Sequence, residues 1–299
     1  MKKVLLLGHP LGHSASPVFQ NAGFKALGVD VTYELCDILP EELESKIKEI
    51  KESDEYLGCN VTIPYKTQVI PFIDELDAIP EKGIGAVNTI NKSCGLLYGH
   101  NTDLDGFLKG VREKLGFSMQ GKTVFIAGAG GAGRVAAFVA LGKAKKIVIS
   151  DVDDRKSSEL TEHLTKQKYL SDNKDIEFLT VNPLNDVNVA DKEVSSSDLI
   201  VNATPLGMGK DTRKSINTEV LHPGQFVFDL VYNPLETPLL KDAKQKGLKC
   251  CNGLVMLLWQ GMEAFDFWLH KELNDGTAPP HVYKAMEDAL KNHFGVAEL

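Results

Sequence analysis

Gly128, Gly130 and Gly133 follow the apolar run Val124–Ala127 in the spacing G-x-G-x-x-G, and Val135–Leu141 continues as a helix-forming stretch. Strand, glycine turn and helix in this order form a fingerprint for the pyrophosphate of a dinucleotide. The first glycine permits a tight turn and the second lets the backbone approach the phosphates. The third lets helix and strand pack closely, with the phosphates at the helix N-terminus. Turns that bind nothing can carry the same glycines, but the strand and helix on either side favour a ligand. Asp151 lies 23 residues after Gly128, at the end of the strand-like run Lys146–Ser150. An acidic side chain at that place binds the adenosine ribose 2′-hydroxyl of NAD, and its charge repels the 2′-phosphate of NADP. The chemistry this implies is hydride transfer to or from a nicotinamide.

A second polar set precedes the glycine loop. Ser14 and Ser16 stand two apart, so in an extended chain their hydroxyls share one side. Beside an incipient helix N-terminus they suit a small carboxylate, although Ser16 could equally serve as the N-cap of Pro17–Leu27. Lys66 closes Asn60-Val-Thr-Ile-Pro-Tyr-Lys66, a strand end followed by a proline turn. Most lysines are simply solvated, but strand ends are where α/β folds place ligand contacts. Asn88, Asn101, Thr102 and Asp103 add polar groups after further strand-like runs, and Asp103 could also act as a helix cap. The density of such groups suggests a polyhydroxylated ligand.

The elements that must position these groups read as α/β throughout. The first hundred residues predict strands at Val4–Leu7, Val31–Tyr33 and Leu57–Val61, helices at Pro17–Leu27 and Pro40–Lys51, and a hairpin turning at Lys92–Gly95. A helix opened by Asn101–Gly106 leads into alternating strands and helices. The strands are expected at Val124–Ala127, Lys146–Ser150, Glu177–Val181, Asp198–Asn202 and Phe226–Leu230, with a loop-rich segment over Asn182–Ser197. Such alternation implies a parallel sheet covered on both faces. Helices near Leu239–Lys246, Leu254–Leu269 and Pro280–His293 close the chain, the last two returning to the first domain.

The chain has 299 residues, 43% hydrophobic and 25% charged, which suits two globular domains. A net charge of −8 argues against nucleic acid or anionic membrane as partner. The apolar start Val4–Leu7 is too short for a signal peptide, and Leu254–Leu269 contains Gln260, Glu263 and Asp266, which suits a core helix rather than a membrane span. Five cysteines without a C-x-x-C pair suggest neither a disulfide framework nor a metal site, and fit a reduced, cytoplasmic protein.

In its motifs the sequence resembles the shikimate dehydrogenase family, including the quinate/shikimate branch. The matching blocks are Gly12–Pro17, Asn60–Lys66, Gly85–Ile90, Gly99–Asp103, the glycine loop, Asn202–Met208, Asp229–Pro234 and Gly253–Gln260, in order across nearly the whole chain. The resemblance implies a two-domain α/β fold. Residues 1–103, completed by helices from 253–299, would bind substrate, and residues 104–252 would form a Rossmann-type dinucleotide domain. It implies reversible NAD(P)-linked oxidation of shikimate to 3-dehydroshikimate, with quinate as a further substrate. Lys66 and Asp103 would be the catalytic pair, and Ser14 and Ser16 would hold the substrate carboxylate. Thr62, Asn88, Thr102, Tyr232 and Gln260 would meet its hydroxyls or line its pocket. Ala129, Gly131, Ala132, Ala203, Thr204 and Gly253 would join Gly128, Gly130, Gly133 and Asp151 around the cofactor. No metal is required.

The reaction removes a hydride from carbon and a proton from oxygen, so a positioned side chain must handle the proton. We assign it to Lys66, with Asp103 orienting the lysine and binding the hydroxyl, although the residues alone do not separate the two roles. Tyr232 and Gln260 could instead be packing residues. Many biosynthetic family members carry Asn-Arg-Thr where this chain has Asp151-Val152-Asp153, so the phosphate-clamping arginine is missing and NAD is the expected cofactor. Asp153 also suits the cap of the following helix. The alternatives are an NADP-dependent biosynthetic enzyme and a non-catalytic sensor of shikimate or quinate. A monomer or a homodimer is expected.

Overall fold

The uninterrupted apolar run at the N-terminus folds as strand β1 (Lys2–Gly8), with Val4 and Leu7 fully buried. The computed structural model describes residues 1–299 except His13 and residues 78–82, 169–174, 271–272 and 274. The chain divides into two units, Met1–Asp103 with Leu257–Leu299, and Leu104–Met256.

In the first unit β1 is flanked in parallel by β2 (Val31–Asp37) and β3 (Tyr56–Val61). The hairpin of β5 (Thr89–Ser93) and β6 (Leu96–His100) adds antiparallel to β3, and the two-residue β4 (Glu75–Leu76) closes the far edge. Cys94 and Gly95 both take positive φ, 52° and 78°, the backbone that a two-residue hairpin turn demands. Helix α1 (Ser16–Leu27) packs against α9 (Pro280–Phe294), and α2 (Leu43–Glu52) covers β3 through Leu43, Ile47 and Ile50. The expected helix from Pro40 opens as a 3₁₀ turn, Pro40–Glu42, before α2 begins.

The start of α1 corrects the expected cap. Ser16 is the first helical residue, Ala15 precedes it in near-helical conformation, and no side chain caps the helix. Ser14 instead accepts the Ser16 N–H at 3.3 Å. The hydroxyl two residues upstream therefore serves the local backbone, and that of Ser16 does not cap.

In the second unit α3 (Asp103–Lys109), whose first residue belongs to the other unit, runs into a π-helical turn, Gly110–Lys114. Six parallel strands follow: β7 (Thr123–Ala127), β8 (Lys146–Ser150), β9 (Glu177–Val181), β10 (Leu199–Asn202), β11 (Phe226–Asp229) and β12 (Lys249–Cys251). Their order is β12-β11-β10-β7-β8-β9. The order reverses at β7, which puts a ligand crevice at the carboxyl ends of β7 and β10. Helices α4 (Gly131–Leu141), α5 (Asp154–Lys168), α6 (Val187–Ser196) and α7 (Pro238–Gln245) connect the strands. Helix α6 replaces the loop expected over Asn182–Ser197. Ala190 and Val194 are buried at helical spacing, and Glu193 pairs with Lys146 at 2.6 Å, so a polar-looking segment still presents one buried face. Helix α8 (Leu254–Leu269) is divided between the units at Leu257. Among the described residues no helix is long and apolar enough to cross a membrane.

At the end of β11, Asp229 is fully buried. Its carboxylate accepts from Thr237 (2.5 Å), Asn202 (2.8 Å) and the Val231 N–H (3.1 Å). Burial pushes its pKa up to about 6, against the effect of these donors. Because the folded value is raised, the stability this group contributes is complete below the ordinary value of 3.8 and is lost as pH rises through about 6. The loss is on the order of 2–3 kcal/mol. Urea denaturation of wild type and Asp229→Asn at pH 4 and pH 7 should show the balance moving toward the variant by about 2 kcal/mol at pH 7. A difference that stays constant with pH would contradict this.

Candidate active site

Lys66 stands at the end of a turn fixed on both sides. The Tyr65 N–H donates to the Thr62 carbonyl, the Val87 N–H donates to the Lys66 carbonyl, and the buried Tyr65 hydroxyl donates to the Ile38 carbonyl. Asp103 opens α3, and its N–H donates to Asn101 Oδ1, while Asn101 Nδ2 donates to the Ala86 carbonyl. These two frames bring Lys66 Nζ to 2.5 Å from Asp103 Oδ2, with side chains only 15% and 6% exposed. The pair is thus held from separate segments and largely screened from water. Its lysine can give a proton to, or take one from, an oxygen placed beside it.

Behind the pair lies a buried polar network. Asn88 Nδ2 donates to Thr102 Oγ1 (2.9 Å), and the Thr102 N–H returns a bond to Asn88 Oδ1 (2.8 Å). Gln260 Oε1 lies 3.4 Å from both Asn88 Nδ2 and Thr102 Oγ1. Asn60 donates to the Asn88 carbonyl and to Thr89 Oγ1, and accepts from the Tyr33 hydroxyl. Asn60 opens the block that Lys66 closes, but neither it nor Thr89 or Tyr33 carries a role in the sequence reading. An asparagine inside the otherwise apolar run Tyr56–Val61 is the signal the sequence offers.

Ser14 and Ser16 form a separate pair. The loop leading to them is tied by Asp37, which accepts from the Leu11 N–H (2.8 Å) and bonds His9 Nδ1 (2.6 Å). Those two bonds hold the Asp37 carboxyl below the usual range. Thr62 approaches the same loop, since a Cβ on Gly8 would lie 2.5 Å from Thr62 Cγ2. Tyr232 is half-buried in the Leu104–Met256 unit.

In that unit the three glycines have distinct physical reasons. Gly128 has φ +99°, and a Cβ on it would lie 2.8 Å from the Ala203 carbonyl oxygen. A Cβ on Gly133 would meet the Gly128 oxygen at 1.9 Å, so helix and strand approach more closely than any side chain allows. A Cβ on Gly130 would meet nothing within 4 Å. Space is therefore open in front of the first turn of α4, where Gly131, Ala132 and Gly133 present backbone N–H groups. Gly253 packs against the Leu230 backbone, where a Cβ would lie 2.0 Å from the carbonyl oxygen. Thr204 donates through its N–H and hydroxyl to Asn202 Oδ1, and the Ala203 N–H bonds the Ala127 carbonyl.

Asp151 ties the loop to the end of β8, accepting the Ala129 N–H (2.8 Å) and the Asp153 N–H (2.9 Å). Beside it Val152 is 61% exposed. Arg155 is turned to Asp153, at 3.1 Å, and Asp153 also accepts the Arg155 N–H as a helix cap. The open cradle, the helix N-terminus and the carboxylate beside it fit a dinucleotide. Among the described residues no group of three His, Cys, Asp or Glu is placed to hold a metal ion.

The family model described as the shikimate dehydrogenase substrate binding domain matches residues 6–90. The chain is 38% identical over 271 residues to a shikimate dehydrogenase (NADP(+)) of Moorella thermoacetica, covering 90% of this chain and 88% of that one. Among solved structures, a shikimate dehydrogenase in complex with NADP+ is 34% identical with TM-score 0.83, covering 98% and 96% of the two chains. The Listeria monocytogenes shikimate 5-dehydrogenase in complex with shikimate and NAD is 30% identical, covers 97% and 96%, and has TM-score 0.80. A quinate dehydrogenase of Corynebacterium glutamicum in complex with NAD is 26% identical, covers 96% and 99%, and has TM-score 0.79.

Gly130→Ala and Gly133→Ala should separate binding from packing. Gly130 has φ −73° and open space, so alanine should leave the melting temperature nearly unchanged while lowering dinucleotide affinity about tenfold or more. Gly133→Ala should cost about 1–3 kcal/mol of stability by overpacking. Thermal melts and fluorescence titration with NAD(P)H measure both. A Gly130→Ala protein that binds normally would contradict the assignment of the cradle.

Proposed function

The chain belongs to the shikimate dehydrogenase family of oxidoreductases, and we propose that it oxidises shikimate reversibly to 3-dehydroshikimate with NAD as the preferred acceptor. Met1–Asp103 with the C-terminal helices holds the substrate, and Leu104–Met256 holds the dinucleotide. The observation that carries the chemistry is the Lys66–Asp103 pair, 2.5 Å apart beside the Asn88–Thr102–Gln260 network. Those amides and hydroxyls offer both donors and acceptors to a ring bearing several hydroxyls. Ser14 and Ser16 take the carboxylate, with Thr62 and Tyr232 as further substrate contacts. In the direction of reduction the Lys66 ammonium gives a proton to the carbonyl oxygen, and in oxidation Lys66 takes the hydroxyl proton, with Asp103 orienting it. The bound nicotinamide supplies the hydride acceptor.

Names among the relatives favour NADP, as in the Moorella thermoacetica protein and the NADP+ complex. The NADP-dependent reading therefore has the stronger support by likeness. The residues at the adenosine end support NAD. Asp151 sets a carboxylate at the end of β8, where an acidic side chain favours the ribose 2′-hydroxyl of NAD over a 2′-phosphate, Val152 offers no charge, and Arg155 is engaged by Asp153. Like charges about 4 Å apart cost roughly 1 kcal/mol in water and about 4 near a protein surface, enough to decide between cofactors. The quinate dehydrogenase likeness comes at lower identity, and quinate carries an extra hydroxyl on the carboxylate-bearing carbon, so shikimate is the proposed substrate.

Measuring kcat/KM for shikimate and quinate, each with NAD and NADP, tests the proposal. Shikimate with NAD should exceed the other combinations, by about tenfold or more over NADP. The double variant Asp151→Asn, Val152→Arg should move the ratio toward NADP. A wild-type preference for NADP would return the chain to the NADP-dependent reading, and shikimate binding without turnover would identify a sensor.

A further inference from the structure

His100 directly precedes Asn101–Thr102–Asp103, and its ring is held between two carboxylates. Nδ1 lies 2.5 Å from Asp77 Oδ2, and Nε2 lies 3.1 Å from Glu263 Oε1 on α8. The ring also packs on Phe267, with centroids 5.2 Å apart, and the side chain is 16% exposed. A neutral imidazole has one N–H and one lone pair, so it can donate to only one of two carboxylates and turns a lone pair toward the other. An imidazolium donates to both, so the geometry is that of a charged histidine. Burial pulls its pKa down, but Glu263 and Asp77 more than offset this and hold it above the usual histidine value. Asp77 and Glu263 are the charged groups facing the ring among the described residues.

Glu263 lies three residues after Gln260, on the same helical face. The contacts of Gln260 with Asn88 and Thr102, at 3.4 Å, are long for hydrogen bonds, while its own Nε2 turns back to the Leu257 carbonyl at 2.8 Å. Another point of this turn is fixed, because Gln20 Nε2 donates to the Gly261 carbonyl at 2.9 Å. We infer that His100 and Glu263 form a protonation-dependent clamp that positions Gln260 and so sets the affinity for the hydroxylated ring. Both are positioning residues rather than catalytic ones, and the inference rests on the shikimate reading above.

The test compares wild type, Glu263→Gln and Glu263→Ala between about pH 5.5 and 9. Shikimate Kd is measured by calorimetry without cofactor, alongside kcat and the NMR titration of the His100 ring. The glutamine amide can donate to or accept from a neutral imidazole, so this conservative variant should keep the clamp closed at every pH. Wild-type Kd should rise about tenfold as pH passes above the usual histidine range, the scale of one lost charge-assisted hydrogen bond. Glu263→Gln should stay near the tight value throughout. Glu263→Ala should be weak at all pH, with kcat within about twofold of wild type and a lower His100 pKa. A ratio of the Glu263→Ala to wild-type Kd that does not change with pH overturns the clamp. If the alanine variant does not fold, identical pH profiles for wild type and Glu263→Gln overturn it equally. Absence of shikimate binding by wild type at every pH overturns the substrate reading, and the clamp with it.

Discussion

The ion pair between Lys66 and Asp103 is the interaction the first unit is built to hold. Taking both charges out of water costs several kcal/mol per ion, and their attraction repays this only when geometry is good and the remaining polar valences are met. The surroundings meet that condition at the backbone. One partner sits on a turn closed by bonds at Thr62, Tyr65 and Val87, and the other on a helix start braced by Asn101. The residues just behind, Asn60, Asn88, Thr89 and Thr102, satisfy one another almost completely. A polar network inside a core is costly if half satisfied and rigid if complete, and a rigid wall suits the proton transfer proposed for the pair.

The cofactor unit follows a different logic. Its glycines contribute by lacking side chains, two of them because backbone lies against backbone and one because nothing does. Such a loop accepts any dinucleotide pyrophosphate. The proposed discrimination falls to the end of β8, where Asp151 also bonds the loop through the Ala129 N–H. The group proposed to select the cofactor is thus part of the fold of its own site, so replacing Asp151 alters loop geometry as well as charge.

What the sequence disclosed follows the range of the forces involved. The glycine loop was legible because strand, turn and helix are local and periodic. The hairpin turn at Cys94 and Gly95 was legible for the same reason. The closeness of Lys66 and Asp103, 37 residues apart, is not encoded in any spacing, and only the likeness of the surrounding blocks to a family pointed to it. The cap expected of Ser16 is absent because Ala15 already takes near-helical angles and Ser16 falls inside α1, and composition does not reveal those angles. Helix α6 was hidden by its polar residues, since its buried face needs only Ala190 and Val194 with the Glu193–Lys146 pair. The short strands β4 and β12 exist because neighbours pair with them, not because Glu75–Leu76 or Lys249–Cys251 favours extension.

Lys66 is the group proposed to move the proton. Lys66→Gln tests this most directly, because the amide can still donate to Asp103 but cannot exchange a proton with the substrate. With shikimate and the preferred dinucleotide, kcat should fall by about 10²–10⁴, while the dinucleotide Kd and the melting temperature stay near wild type. A variant that retains kcat within about threefold of wild type, a difference too small for the loss of an acid–base group, would contradict the account.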